Sequence, residues 1–232
     1  MVLPLYLAMM DREMQDSPTL PPHIARMGCT FDPDGPGLLD LPKSFPQGGM
    51  LIVDDRHPIG GHDPVLVTAT LAEAVDRLGI DRILLDFERP PTPVSQAMAA
   101  RIAQTLPCPV GMPPDYGASF DCPLFLPTCP LPVPLAEYLN PWPDREIWME
   151  ARMLQQTITV TPEGTVYGIP SLVDNLTGGY YDDVLRCQCI TEITNNQVVF
   201  TLYDTPETLQ KKWNHPRMTH AIGLFQDWNG RL

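Results

Sequence analysis

The sequence predicts an α/β fold, specifically a reduced (β/α)8 barrel of the TIM type. Eight apolar runs recur along 232 residues with turn residues between them. Most are continuous rather than alternating, as expected of strands covered on both faces. The length is close to the roughly 250 residues such a barrel usually needs.

The runs are Leu3–Met10, Ile24–Phe31, Met50–Val53, Ile83–Phe87, Pro109–Met112, Leu124–Leu126, Ile147–Leu154 and Ala221–Phe225. Between the third and fourth, Thr70-Leu-Ala-Glu73 reads as a capping box, with Leu71, Ala74, Val75 and Leu78 at helical spacing and Gly79 as the stop. A second helix is expected over Val94–Leu106, and a third from Thr205 with Pro206 at its first position. Residues 31–49 and 112–134 are rich in Pro, Gly and Asp, so the outer helices there are expected to be shortened or lost. Residues 155–204 change character. Gln156–Val160 and Thr165–Tyr167 flank a Pro-Glu-Gly turn, and Cys187–Ile193 and Val198–Tyr203 flank Thr-Asn-Asn. Two hairpins in series predict a small antiparallel insertion before the last barrel strand, within a single barrel domain spanning 1–232.

The chain carries 28 acidic and 15 basic residues, a formal net charge of −13. Nucleic acid and anionic membrane surfaces both select cationic faces, so neither partner is expected. No window of 18 apolar residues occurs, and Met1–Met10 lacks the basic start of a signal peptide. The expectation is a cytoplasmic protein with reduced thiols. Its Cys187-Gln-Cys189 pair reads as buried strand packing rather than a metal site.

The most informative stretch is Asp81-Arg-Ile-Leu-Leu-Asp-Phe-Glu88. Alternation places Leu84, Asp86 and Glu88 on one face and Ile83, Leu85 and Phe87 on the other. If the aliphatic face meets the helices, both acids emerge at the carboxyl end of the strand, where barrel active sites form. Two neighbouring carboxylates raise one pKa, which keeps a proton available for general-acid chemistry near neutral pH. The competing reading is an ion pair with Arg82 or Arg89.

This stretch resembles the fourth-strand motif D-G-x-D-x-D-x-E of family-18 glycoside hydrolases, especially the small spore-germination glycosidases. Asp81, Asp86 and Glu88 match, whereas Arg82 and Leu84 depart. Val198 to Lys211, containing Phe200, Asp204 and Lys211, resembles that family's VWFED…S…K segment, and Ala221–Trp228 looks like its eighth strand. The resemblance implies substrate-assisted hydrolysis of N-acetylglucosamine-containing glycans, with no cofactor. In that scheme Glu88 protonates the glycosidic oxygen and Asp86 orients the acetamide, an exception to the usual two-carboxylate mechanism. The family's sixth-strand Tyr has no counterpart in Leu124–Cys129, so Tyr116 is the available substitute. Its S-x-G-G becomes Val53-Asp-Asp-Arg-His-Pro-Ile-Gly-Gly61.

The remaining candidates are substrate contacts from Asp81, Asp54 and Asp55, and a sugar platform from Trp228. Asp54, Asp55, His57 and His62 also form a dense cluster after the third strand that would suit a divalent metal and a metal-assisted hydrolase. Leu84 and the missing Tyr leave a third alternative open: a catalytically silent barrel that binds a glycan or a protein partner.

Overall fold

The structure, a computed structural model, describes residues 3–228. In chain order the strands begin with β1 (Leu5–Met9) and β2 (Ile24–Phe31), and the two-residue β3 (Leu38–Leu39) lies antiparallel on the end of β2. There follow β4 (Met50–Asp54), β5 (Arg82–Asp86), β6 (Val110–Gly111), β7 (Leu124–Leu126) and β8 (Ile147–Glu150). An antiparallel sheet comprises β9 (Leu154–Thr161), β10 (Gly164–Tyr167), β11 (Ser171–Leu172), β12 (Tyr180–Asp182), β13 (Cys187–Ile193) and β14 (Val198–Tyr203). The chain then returns to the barrel as β15 (Met218–Leu224).

The parallel order is β6-β5-β4-β2-β1-β15-β8-β7. A bridge from Met112 to Leu124 joins its two ends: the Met112 amide donates to the Pro123 carbonyl at 3.2 Å, and the Phe125 amide donates to the Met112 carbonyl at 2.8 Å. The eight strands therefore close into a TIM-like barrel, with the second sheet inserted between the seventh and eighth barrel strands. The two expected hairpins are β9–β10 and β13–β14. Cys187 and Cys189 are buried beneath them with Leu131 and Leu202.

The helices are α1 (Asp11–Asp16), α2 (Pro64–Leu78), α3 (Pro93–Thr105), α4 (Pro114–Gly117), α5 (Leu135–Leu139), α6 (Pro206–Trp213) and α7 (Phe225–Trp228). Four of them start on proline, whose fixed φ suits a first helical turn and whose missing N–H costs nothing there. Those four of the 28 prolines are thus punctuation. Helix α2 begins six residues before the expected Thr70. Asp63 caps it by accepting from the Val65 amide at 2.8 Å, and Thr70 lies mid-helix, its hydroxyl donating to the Leu66 carbonyl. The Thr70…Glu73 spacing imitates a capping box inside a helix that Asp63-Pro64 had already started.

One apolar layer packs α2 and α3 against the outer faces of β2, β4 and β5. Another packs α5, α6 and α7 around β7, β8 and β15. Inside the barrel, Tyr6, Met50, Ile52, Leu84, Trp148 and Ile222 fill the axis. Trp148 can cross it because β6 presents Gly111, where a Cβ would strike the indole.

The amino-terminal end of the interior is a polar stopper. The Arg82 guanidinium donates to the Tyr6 hydroxyl. The Trp148 indole and the Thr219 hydroxyl both donate to the Glu146 carboxylate, at 3.0 and 2.6 Å. His220 lies edge-on to Trp148, with ring centroids 5.2 Å apart. Burial, helped by the charge of Arg82, pushes its imidazole down to about 4, so it is neutral at physiological pH.

Candidate functional site

At the other end of the barrel, period-two alternation continues three of the interior stripes into acid. On β5 the stripe runs Leu84, Asp86; on β4 it runs Met50, Ile52, Asp54; on β8 it runs Trp148, Glu150. Asp54 and Asp86 are register partners on adjacent parallel strands. Two adjoining cavities open at this rim, of about 490 and 470 Å3, and Asp86 and Glu88 line both. The first also presents Asp54, Arg56 and Arg89. The second presents Phe125, Asp115, Glu150 and Arg152.

The carboxylates differ in state because their surroundings differ. Burial opposes ionisation of Asp54, but the Arg56 guanidinium outweighs it through bonds of 2.8 and 2.5 Å and holds the group below its usual range. Asp86 has no such cation. Burial first, then the charges of Glu88, Asp54 and Glu150, push its carboxyl up to about 6. A proton is therefore held at Asp86 under mildly acidic conditions.

That shift has a stability consequence. The folded pKa lies above the ordinary 3.8, so the native state binds the proton more tightly than the unfolded chain. The contribution of this group is fully present below pH 4 and is lost as pH rises through about 6. At 1.36 kcal/mol per pKa unit, and discounting for solvent at the open rim, this amounts to about 1–2 kcal/mol. Asp86→Asn is expected to remove that part of the slope. Thermal unfolding from pH 4 to pH 8 will show the wild type losing ground to the variant as pH rises; parallel curves would contradict the assignment.

The candidates from sequence distribute unevenly. Asp86, Glu88 and Asp54 meet at the rim. Asp55 borders the first cavity but is only 2% exposed, and its two carboxylate oxygens accept the amides of Glu88 (2.9 Å) and Arg89 (3.1 Å). It is buried and holds a loop. Asp81 is corrected outright: it precedes β5, at the opposite end of the strand from Asp86, and lines neither cavity. Tyr116 is also turned away. It is buried among Phe87 and the α3 side chains, with its hydroxyl donating to the Arg89 carbonyl at 2.9 Å. Trp228 lies outside the barrel wall. Its indole donates to the Ala151 carbonyl at 2.9 Å and packs against Trp213, so it makes no platform at the rim.

Most of the side chains in the loop named for a metal are engaged elsewhere. Asp54 is bound to Arg56, Asp55 to two amides, and Asp63 caps α2. The two ring nitrogens of His62 face the carbonyls of Ile59 and Asp32 at 3.0 and 2.9 Å. Among the described residues no group of three or more His, Cys, Asp or Glu side chains is placed to hold a metal ion.

Glu150 and Arg152 are rim residues that the motif search missed, although the alternation Trp148, Glu150 carries the same signal as Leu84, Asp86. The Glu150 carboxylate lies 3.8 Å from the Arg152 guanidinium and accepts from the Thr128 amide at 3.3 Å.

The fold and the rim together define a closed parallel barrel with a carboxylate-lined cleft at the carboxyl ends of its strands, the place where barrel enzymes carry their chemistry. No protein-family model matches the chain, and no curated protein matches it. Among solved structures, the chain is similar to a doubly substituted GH18 chitinase from Cycas revoluta in complex with (GlcNAc)4. The identity is 9%, the match covers 94% of each chain, and the TM-score is 0.48. Likeness at that level bears on neither activity nor ligand. No described helix is long and apolar enough to cross a membrane.

Proposed function

We propose that this protein is a chitinase-like glycoside hydrolase acting on glycans that contain N-acetylglucosamine. One observation carries the reading: Asp86, the last residue of β5, and Glu88, two residues beyond it, both line the two rim cavities. The motif resemblance of residues 81–88 supports the same assignment of roles.

In this reading Glu88 gives its proton to the glycosidic oxygen as the bond to the anomeric carbon breaks. The substrate's acetamide oxygen forms the new bond to that carbon, and Asp86 orients the acetamide N–H. Water then attacks the anomeric carbon, the bond from that carbon to the acetamide oxygen breaks and restores the N-acetyl group, and the water's proton returns to Glu88. Cavities of this size fit one or two sugar rings. Phe125 supplies the apolar face that the family's Tyr would otherwise line.

The test is turnover by purified protein on chito-oligosaccharides and on peptidoglycan fragments. Product release above the buffer control is expected on at least one; none on either would end the enzyme reading.

A second reading, a silent glycan-binding barrel, is favoured by one feature. The position of the family's middle Asp is Leu84, 1% exposed and packed in the barrel interior, so Asp86 has no proton-sharing partner beneath it. Calorimetry that detects sugar binding without hydrolysis would select it.

A further inference from the structure

We infer that Asp55 is a positioning residue that fixes where Glu88 stands; the inference rests on the hydrolase reading above and adds to it the part that aims the proton donor. The Glu88 carboxylate makes no hydrogen bond or ion pair with any described residue, and the side chain is exposed. With no side-chain partner to hold it, its placement depends on the backbone that carries it. That backbone is pinned from two sides. The buried Asp55 carboxylate accepts the consecutive amides of Glu88 and Arg89, at 2.9 and 3.1 Å. The Arg89 guanidinium reaches back to the carbonyls of Asp55 and Arg56, both at 2.8 Å. From the other side the Tyr116 hydroxyl donates to the Arg89 carbonyl at 2.9 Å, and is itself 3.3 Å from the Ser95 hydroxyl.

A carboxylate accepting two successive amides is a strong, charge-assisted clamp. Asp55 directly follows the end of β4, and Glu88 lies just past the end of β5. The clamp therefore ties the loop after one strand to the loop after its neighbour, next to the register pair Asp54–Asp86. Arg89 faces the same way, which makes the loop a rigid unit rather than a free lid.

The experiment compares two substrates of one enzyme. An unsubstituted chito-oligosaccharide leaves as a poor alcohol and needs the proton. A 4-methylumbelliferyl chitobioside leaves as an acidic phenol and scarcely needs it. Displacing a reacting group by about 1 Å costs on the order of 100-fold. Asp55→Ala is therefore expected to lower kcat on the oligosaccharide by about 100-fold and on the aryl glycoside by less than about tenfold, with KM little changed. Tyr116→Phe, which deletes one buried hydroxyl, is expected to show the same skew on a smaller scale and serves if Asp55→Ala does not fold. Equal losses on the two substrates, or no loss, would reduce Asp55 to a purely structural residue and overturn the inference while leaving the hydrolase reading intact. A wild type inert on both substrates would overturn both together.

Discussion

Glu88→Gln lowers hydrolysis of an unsubstituted chito-oligosaccharide by about 10²–10⁴-fold, the usual contribution of a general acid. The amide has the shape of the acid and no proton to give. The side chain is exposed and hydrogen-bonds to no described residue, so the substitution removes no contact that holds the fold, and the thermal midpoint stays within a degree or two, about the effect of a neutral surface change. Steady-state kinetics and a thermal melt on the same preparation check the two halves. A variant with wild-type turnover would remove Glu88 from the chemistry, whatever the fate of Asp86.

Lys212→Met is expected to destabilise the protein by about 3–5 kcal/mol. Lys212 and Asp204 are each only 1% exposed, and the ammonium donates to the Asp204 carboxylate at 2.8 Å. The Thr208 hydroxyl adds a bond of 3.3 Å to the same oxygen, and the Asp204 amide donates to the Leu154 carbonyl. Burial pushes the Asp204 carboxyl up despite the opposing charge of Lys212. Without the lysine, a carboxylate is stranded in a low dielectric at the joint between the antiparallel sheet and α6. The double substitution Asp204→Leu with Lys212→Met removes both charges and is expected to recover most of the loss, because an apolar pair has no ion to desolvate. Urea denaturation of the wild type and the two variants decides it. A single variant within about 1 kcal/mol of wild type would show that water reaches the pair.

The resemblance of residues 198–211 to the family segment ended on Lys211, yet Lys211 lies over the Tyr181 ring, 3.5 Å from its centroid. One residue of helix phase separates an exposed cation from a buried one. Phase of this kind is set by how α6 docks, which the local sequence does not state. The same reasoning sorts the rest. The strands were legible because a continuous apolar run such as Ile24–Phe31 has few other places to go, and the hairpins because Pro162-Glu-Gly164 and Thr194-Asn-Asn196 dictate turns. Asp86 continues the alternation of β5, whereas Glu88 lies two residues past the end of that strand. The places of Asp81, Tyr116 and Trp228 were not legible, since each required knowing which end of the barrel, or which side of its wall, a residue beyond the strand would reach. Asp55 lay in plain view within Asp54-Asp55, but its role depends on amides 33 and 34 positions away.

The stopper formed by Tyr6, Arg82, Glu146, Trp148 and His220 makes the cylinder a cup rather than a tube. With the axis filled and that end sealed, nothing passes through the barrel, so any ligand of the acids arrives and departs on the rim side, across the two cavities there.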